Sequence, residues 1–215
     1  MPVQHISAGA LCPFGGRLVT GEGGFTGARI VCHCLLVEAG ERLILVDTGM
    51  GLDDMDHPAR RLGPHFHGAF RVQADGSETA HARIAALGND PGDVTDIVCT
   101  HLDLDHAGGL PDFPRAQVHV FEPEHHAATH PSLRDRARYP RSHFAHGPLW
   151  RIHDSAAGGD SWHGFESIRV LPGVEPEVLM IPLPGHSRGH VAVAVRDGER
   201  WLLHCGDAYF HRGEM

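Results

Sequence analysis

No stretch of this 215-residue chain is apolar for long enough to cross a bilayer, and its first residues lack the basic start and apolar core of a leader. The expected setting is soluble, reducing and cytoplasmic, with no membrane partner. Positive charge is scarce: 18 Lys+Arg stand against 27 Asp+Glu, for a formal net charge of −9. Such a surface repels polyanions, so nucleic acid is not expected as a partner. Bound divalent ions would reverse that sign locally. Cysteine is sparse and odd in number, at Cys12, Cys32, Cys34, Cys99 and Cys205, which excludes a fully paired disulfide framework. Cys32 and Cys34 lie in an apolar run and read as buried reduced thiols rather than a zinc or redox pair. There is no internal repeat and no low-complexity linker, which leaves one domain over residues 1–215.

Histidine, by contrast, is abundant, at 20 residues. Its densest use is the stretch Thr100 to Gly109, where His101, Asp103, Asp105 and His106 follow the apolar run Ile97-Val98-Cys99 and precede a glycine pair. Alternate side chains of an extended strand share a face, so His101 and Asp103 are placed to grip one ion. Once the chain turns, Asp105 and His106 are free to face a second. Imidazole and carboxylate together suit zinc, and also iron or manganese.

The rest of the chain alternates strands with short helical or irregular pieces. Val3 to Ile6 reads as an edge strand, and Arg29 to Val37 with Arg42 to Val46 as a hairpin. Residues 50–76, punctuated by proline and glycine, read as an irregular loop or lid. Ser77 caps a helix from Glu78 to Leu87 whose buried stripe is Ala80, Ile84 and Leu87. Further strands are expected at Val94 to Cys99, Ala116 to Phe121, Leu149 to Ile152, Ile168 to Leu171 and Val178 to Leu183. A helix is expected at Glu122 to Thr129. Asp197-Gly198 closes a last hairpin. Residues 130–147 carry several arginines and read as a solvated surface segment or a wall for an anionic substrate group.

Four groups of polar residues sit just past the C-terminal ends of apolar strands: Asp47, His101 to His106, His186 and Asp207. Sheets hold loop residues at such an edge in fixed relation. Asp207 carries two oxygens, enough to bridge two ions, so the groups together describe a two-metal constellation.

These residues carry a resemblance. LVDTGM ending at Met50, THLDLDHAGG from Thr100, PGHSRGH from Pro184 and GDAYF from Gly206 resemble, in order and spacing, the motifs of the metallo-β-lactamase superfamily, nearest its lactonase and glyoxalase II-like branches. The resemblance implies an α/β (α+β) fold, an αββα sandwich of two mixed sheets flanked by helices. It implies that His101, Asp103 and His186 hold one divalent ion, that Asp105 and His106 hold another, and that Asp207 bridges both. Asp47 would fix the motif loop by hydrogen bonds without binding metal. His190 would support the ligands or face substrate, or be a satisfied loop histidine.

Two departures stand out. The family usually has histidine where this chain has Asp103. Counting two divalent ions, Asp103, Asp105, Asp207 and a hydroxide, the charges cancel, whereas an imidazole at 103 leaves one positive charge. A less acidified water and a higher pH optimum are the expectation, with iron or manganese favoured more than an imidazole would allow. Alternatively Asp103 does not ligate. The family also supplies a further metal-binding histidine beyond the bridging aspartate; here His211 is the sole downstream candidate. The expectation is a chain lacking its last strand–helix segment, with aggregation or a homodimer as a consequence.

The implied reaction is hydrolysis of an ester-like bond in a small-molecule substrate by metal-activated water, with a lactone favoured and zinc first among the metals. Asp105 or Asp207 would orient the nucleophile and move its proton. Tyr209 would donate a hydrogen bond to the developing oxyanion, or merely pack. A glyoxalase II-like thioesterase, a phosphodiesterase or nuclease, an iron-dependent oxygenase or redox protein, and a degenerate metal-binding protein are the alternatives.

Overall fold

The computed structural model describes residues 3–21, 24–25, 27–133, 135–154 and 160–209. Strands β1 (Val3–Leu11), β2 (Ile30–Ala39), β3 (Arg42–Val46), β4 (Val94–Val98), β5 (Gln117–Phe121) and β6 (Leu149–His153) make a six-stranded sheet in chain order. Strands β7 (Asp160–Trp162), β8 (Phe165–Arg169), β9 (Val178–Pro182), β10 (Val191–Asp197) and β11 (Arg200–His204) make a five-stranded antiparallel sheet. The helices are α1 (Arg17–Thr20), α2 (Leu52–Asp56), α3 (Pro58–Arg61), α4 (Pro64–Phe70), α5 (Ala80–Ala86), α6 (Leu104–Ala107), α7 (Glu122–Thr129) and α8 (Arg141–Phe144).

The two-residue period of the strands builds two cores at once. Leu35, Val37, Ile44 and Val46 turn one way and meet Val178, Met180, Val191 and Val193 between the sheets. Leu36, Leu45, Ile97 and Val118 turn the other way and meet Ile84 of α5 and Ala127 of α7. Each fully buried Leu, Ile or Val contributes about 1.5–3 kcal/mol. On the outer face of the five-stranded sheet, Trp162 and Trp201 pack against Leu179, Ile181, Ala192 and Ala194.

Direction decides where chemistry can collect. Strands β3, β4, β5 and β6 run parallel, so their C-terminal ends emerge at one edge. Asp47, the His101–His106 stretch and helix α7 all leave from that edge. No helix of the described residues is long and apolar enough to cross a membrane.

Local expectations failed at two places. Residues 50–76 are largely helical: α2, α3 and α4 are three short turns, two of them with proline in the first turn. Met55, Leu62 and Val72 bury there against Leu11 and Met50, a spacing too sparse to show as one periodic stripe. The helix after Gly76 is capped by Thr79, not Ser77: the Thr79 hydroxyl accepts from Ala82 N at 3.2 Å, while Ser77 N donates to Asp75. Because α5 ends at Ala86, Leu87 lies outside the stripe and is 47% exposed, against 0% for Ile84. Thr79→Ala is expected to cost about 1 kcal/mol in urea unfolding, and Ser77→Ala no more than a few tenths.

Candidate metal centre

Asp47 organises the edge. It follows β3 with a φ of 55°, in the left-handed region, at a cost of about 1–3 kcal/mol for a residue other than glycine. The turn drives its carboxylate inward to 0% exposure. There Oδ1 accepts from Thr100 N at 2.7 Å, and Oδ2 from Thr100 Oγ1 at 2.7 Å, His106 Nδ1 at 2.9 Å and His204 Nε2 at 3.3 Å. Burial alone would raise the pKa of Asp47, but the hydrogen bonds from His106 and His204 outweigh it and hold the carboxyl far below the usual range. A permanently charged acceptor thus fixes the loop that carries the ligands and turns His106 so that Nε2 faces outward.

The expected ligands converge. His101, His186 and Asp207 present donor atoms all within 4.8 Å of one another. Asp103 Oδ2 lies 2.9 Å from His186 Nε2 and 3.5 Å from His101 Nε2. Asp207 touches both groups: Oδ1 is 3.1 Å from His106 Nε2 and Oδ2 is 3.5 Å from His186 Nε2. Burial opposes ionisation of Asp207, but the hydrogen bond from His106 and the charges of His106, His101 and His186 bring its pKa down to about 2. Asp105 goes the other way; burial, with Asp207 and Asp103 beside it, raises its pKa despite His106. Among the described residues Asp105 makes neither a hydrogen bond nor an ion pair.

Whether divalent ions fit can be judged from the orphaned atoms. His101 is 0% exposed, its Nδ1 is 3.0 Å from Thr100 Oγ1, and its Nε2 has no hydrogen-bond partner. A buried ring nitrogen without a partner, aimed at two carboxylates and a second imidazole, is costly in a protein interior unless a ligand satisfies it. The donor set fits zinc, and its carboxylate content also admits iron or manganese.

His190 serves the site through the backbone. It is 0% exposed, its Nδ1 is 3.1 Å from Leu183 O, and its Nε2 accepts from Asp207 N at 3.1 Å. These bonds require the neutral ring, and burial, helped by nearby His101, lowers the pKa to about 4. Gly206, at φ 52°, permits this approach; a Cβ there would lie 2.6 Å from His190 Nε2.

Two residues that the motifs do not mark prove central. Glu124, on α7, is 0% exposed and accepts four hydrogen bonds. Leu102 N and Tyr139 OH donate to Oε1, each at 3.0 Å; Ser187 Oγ at 2.6 Å and Gly189 N at 3.1 Å donate to Oε2. It thereby ties the loop between His101 and Asp103 to the loop after His186. Arg138, from the segment read as a surface or substrate wall, reaches Asp103 Oδ1 with Nε at 2.8 Å and donates from Nη1 to His186 O at 2.8 Å.

The site opens into a cavity of about 650 Å³. Asp103, Asp105, His106, His186 and Asp207 are among its lining residues, and so are the apolar Leu11, Ile30, Phe66, Phe70 and Leu104. Tyr209 lines the same cavity and is 37% exposed. His211, and Phe210 of the last motif, lie outside the described residues.

Fold and site together define a class: a two-sheet α/β sandwich with a cluster of imidazoles and carboxylates, suited to metal, on the sheet edge. The chain belongs to the Metallo-beta-lactamase superfamily, whose sequence profile matches residues 27–214. A probable metallo-hydrolase of Mycobacterium tuberculosis is 43% identical over 214 residues, 99% of this chain and 64% of the relative. This chain thus spans somewhat less than two thirds of that relative's length. An N-acyl homoserine lactonase of Bacillus thuringiensis is 28% identical over 162 residues, 75% of this chain and 57% of its own. Among solved structures, an N-acyl homoserine lactone hydrolase with the product N-hexanoyl-L-homoserine bound at its catalytic metal center matches with a TM-score of 0.67. It covers 90% of this chain and 69% of its own at 24% identity, a likeness of fold.

Proposed function

We propose that this chain is a metal-dependent hydrolase of lactones that carry an apolar acyl group, working with two divalent ions, zinc first among them. The observation that carries the reading is the lining of the cavity described above, which brings imidazoles and carboxylates together with Leu11, Ile30, Phe66 and Phe70. When bound, divalent ions would acidify a water and polarise the substrate carbonyl. His101, Asp103 and His186 would hold the first ion, Asp105 and His106 the second, and Asp207 both. Asp105, whose side chain makes no hydrogen bond among the described residues, would accept and pass on the proton of the attacking water. Tyr209, which lines the cavity, would donate a hydrogen bond to the oxygen that gains charge. All five cysteines are unpaired, which agrees with a reducing cytoplasmic setting.

A thioesterase would use the same polar end, and only its substrate would differ. Phosphodiester cleavage is less well supported, because among the described residues Arg138 is the one arginine lining the cavity and it is already committed to Asp103 and His186. The test is metal content together with hydrolysis of a panel of lactones, thioesters and phosphodiesters. Lactones with medium acyl chains should be turned over best. Phe66→Ala should raise KM for a long-chain lactone about tenfold, the effect of one lost aromatic contact, and leave a short-chain lactone within about twofold. No turnover of any class above the Asp207→Ala background would remove the hydrolase reading.

A further inference from the structure

Asp103 brings a full negative charge to a position between two imidazole nitrogens, and the structure shows what stands behind it. Oδ2 faces His101 Nε2 and His186 Nε2, while Oδ1 faces away, 2.8 Å from Arg138 Nε. That contact lacks the alignment of a hydrogen bond, so it is chiefly one of charge. The other guanidinium nitrogens are engaged too: Nη1 donates to His186 O at 2.8 Å and Nη2 lies 3.2 Å from His186 Nε2. The segment that delivers Arg138 is itself fixed, since Tyr139 N bonds Asp135 O at 3.2 Å and Tyr139 OH reaches Glu124. Arg138 is only 30% exposed at its side chain, and Asp103 12%, so solvent screens the pair incompletely.

We propose that Arg138 is a charge-compensating residue for the metal centre, acting with Asp103 as a unit: the arginine cancels the charge that the carboxylate adds. An arginine–aspartate pair presents the same formal charge to an ion as one neutral imidazole. The higher pH optimum expected from the carboxylate alone therefore no longer follows. The inference rests on the metal-centre reading above and adds to it a residue outside the ligand set.

The consequence is a coupling that can be measured without turnover. Asp103→His supplies a neutral ligand but leaves the arginine charge uncompensated beside the ion. It should weaken Zn²⁺ and Mn²⁺ binding at least tenfold, measured on the metal-stripped full chain by competition with a colorimetric chelator. Adding Arg138→Gln should restore most of that loss, and adding Arg138→Lys, which keeps the charge, should not. In the Asp103 background, Arg138→Gln should leave ion binding as tight as in the parent or tighter. Circular dichroism of the stripped variants checks folding; if Asp103→His does not fold, Asp103→Asn with and without Arg138→Gln gives the same comparison. Equal binding by Asp103→His and the Asp103→His/Arg138→Gln double variant, or equal rescue by lysine and glutamine, overturns charge compensation while leaving the metal centre standing. A parent chain that takes up no divalent ion overturns both.

Discussion

Asp207→Ala should lower kcat/KM on the order of 10³-fold or more, beyond the 10–100-fold typical of residues that only support metal ligands. The reason lies in its two oxygens. One is 3.1 Å from His106 Nε2 and the other 3.5 Å from His186 Nε2, so a single side chain spans both halves of the centre. Alanine removes the carboxylate that both halves share, and the imidazoles lose the counter-charge that burial makes valuable. Metal analysis should show the loss directly, as at least one ion per chain fewer than in the parent. Since His106, His101 and His186 hold the Asp207 pKa at about 2, the group is charged throughout the working pH range, and raising or lowering pH should not rescue the variant. Asp207→Asn, of the same shape but neutral, should be nearly as impaired. A variant that keeps the parent's ion content, or activity within tenfold of the parent, would show that Asp207 does not join the two halves.

How much of this was legible in the sequence depends on how local each signal is. Asp47, the His101–His106 stretch, His186 and Asp207 each follow an apolar strand, and parallel strands deliver such ends to one edge. The sequence pattern therefore gathered the candidate ligands at one edge, where the structure brings them together. Helix α7 was legible to the residue, Glu122 to Thr129, because Pro123 marks its first turn. Glu124 was not, although it sits on that helix. Its partners Leu102, Ser187 and Gly189 lie 22 to 65 positions away, and a buried glutamate in the first turn of a helix looks in sequence like an ordinary exposed one. Arg138 was hidden similarly: in a segment with several arginines nothing local singles out Arg138 as one that turns inward. The short helices of residues 50–76 escaped because four- to seven-residue turns give periodicity nothing to repeat over.

Glu124 carries the other large expected effect, and it separates positioning from ligation because the side chain is not among the metal-facing groups. Its Oε1 receives Leu102 N and Tyr139 OH, and its Oε2 receives Ser187 Oγ and Gly189 N. Every one of these donors is bound to an element next to the site: Leu102 lies between His101 and Asp103, Ser187 and Gly189 flank the way from His186 to His190, and Tyr139 follows Arg138. Glutamine keeps the shape but turns one of the two acceptor oxygens into a donor. Two buried donors then face an NH₂ group, each lost bond to a charged acceptor being worth about 1.5–3 kcal/mol. Glu124→Gln should therefore destabilise the metal-free chain by about 3 kcal/mol or more in urea unfolding, and Glu124→Ala by more still. Where the glutamine variant stays folded, its metal affinity should fall at least tenfold although every ligand is intact, because the two loops are no longer held at one distance. Glu124→Asp, charged but shorter, should recover part of the stability and little of the affinity. Unfolding within about 0.5 kcal/mol of the parent, with unchanged ion content, would show that the loops hold their places without it.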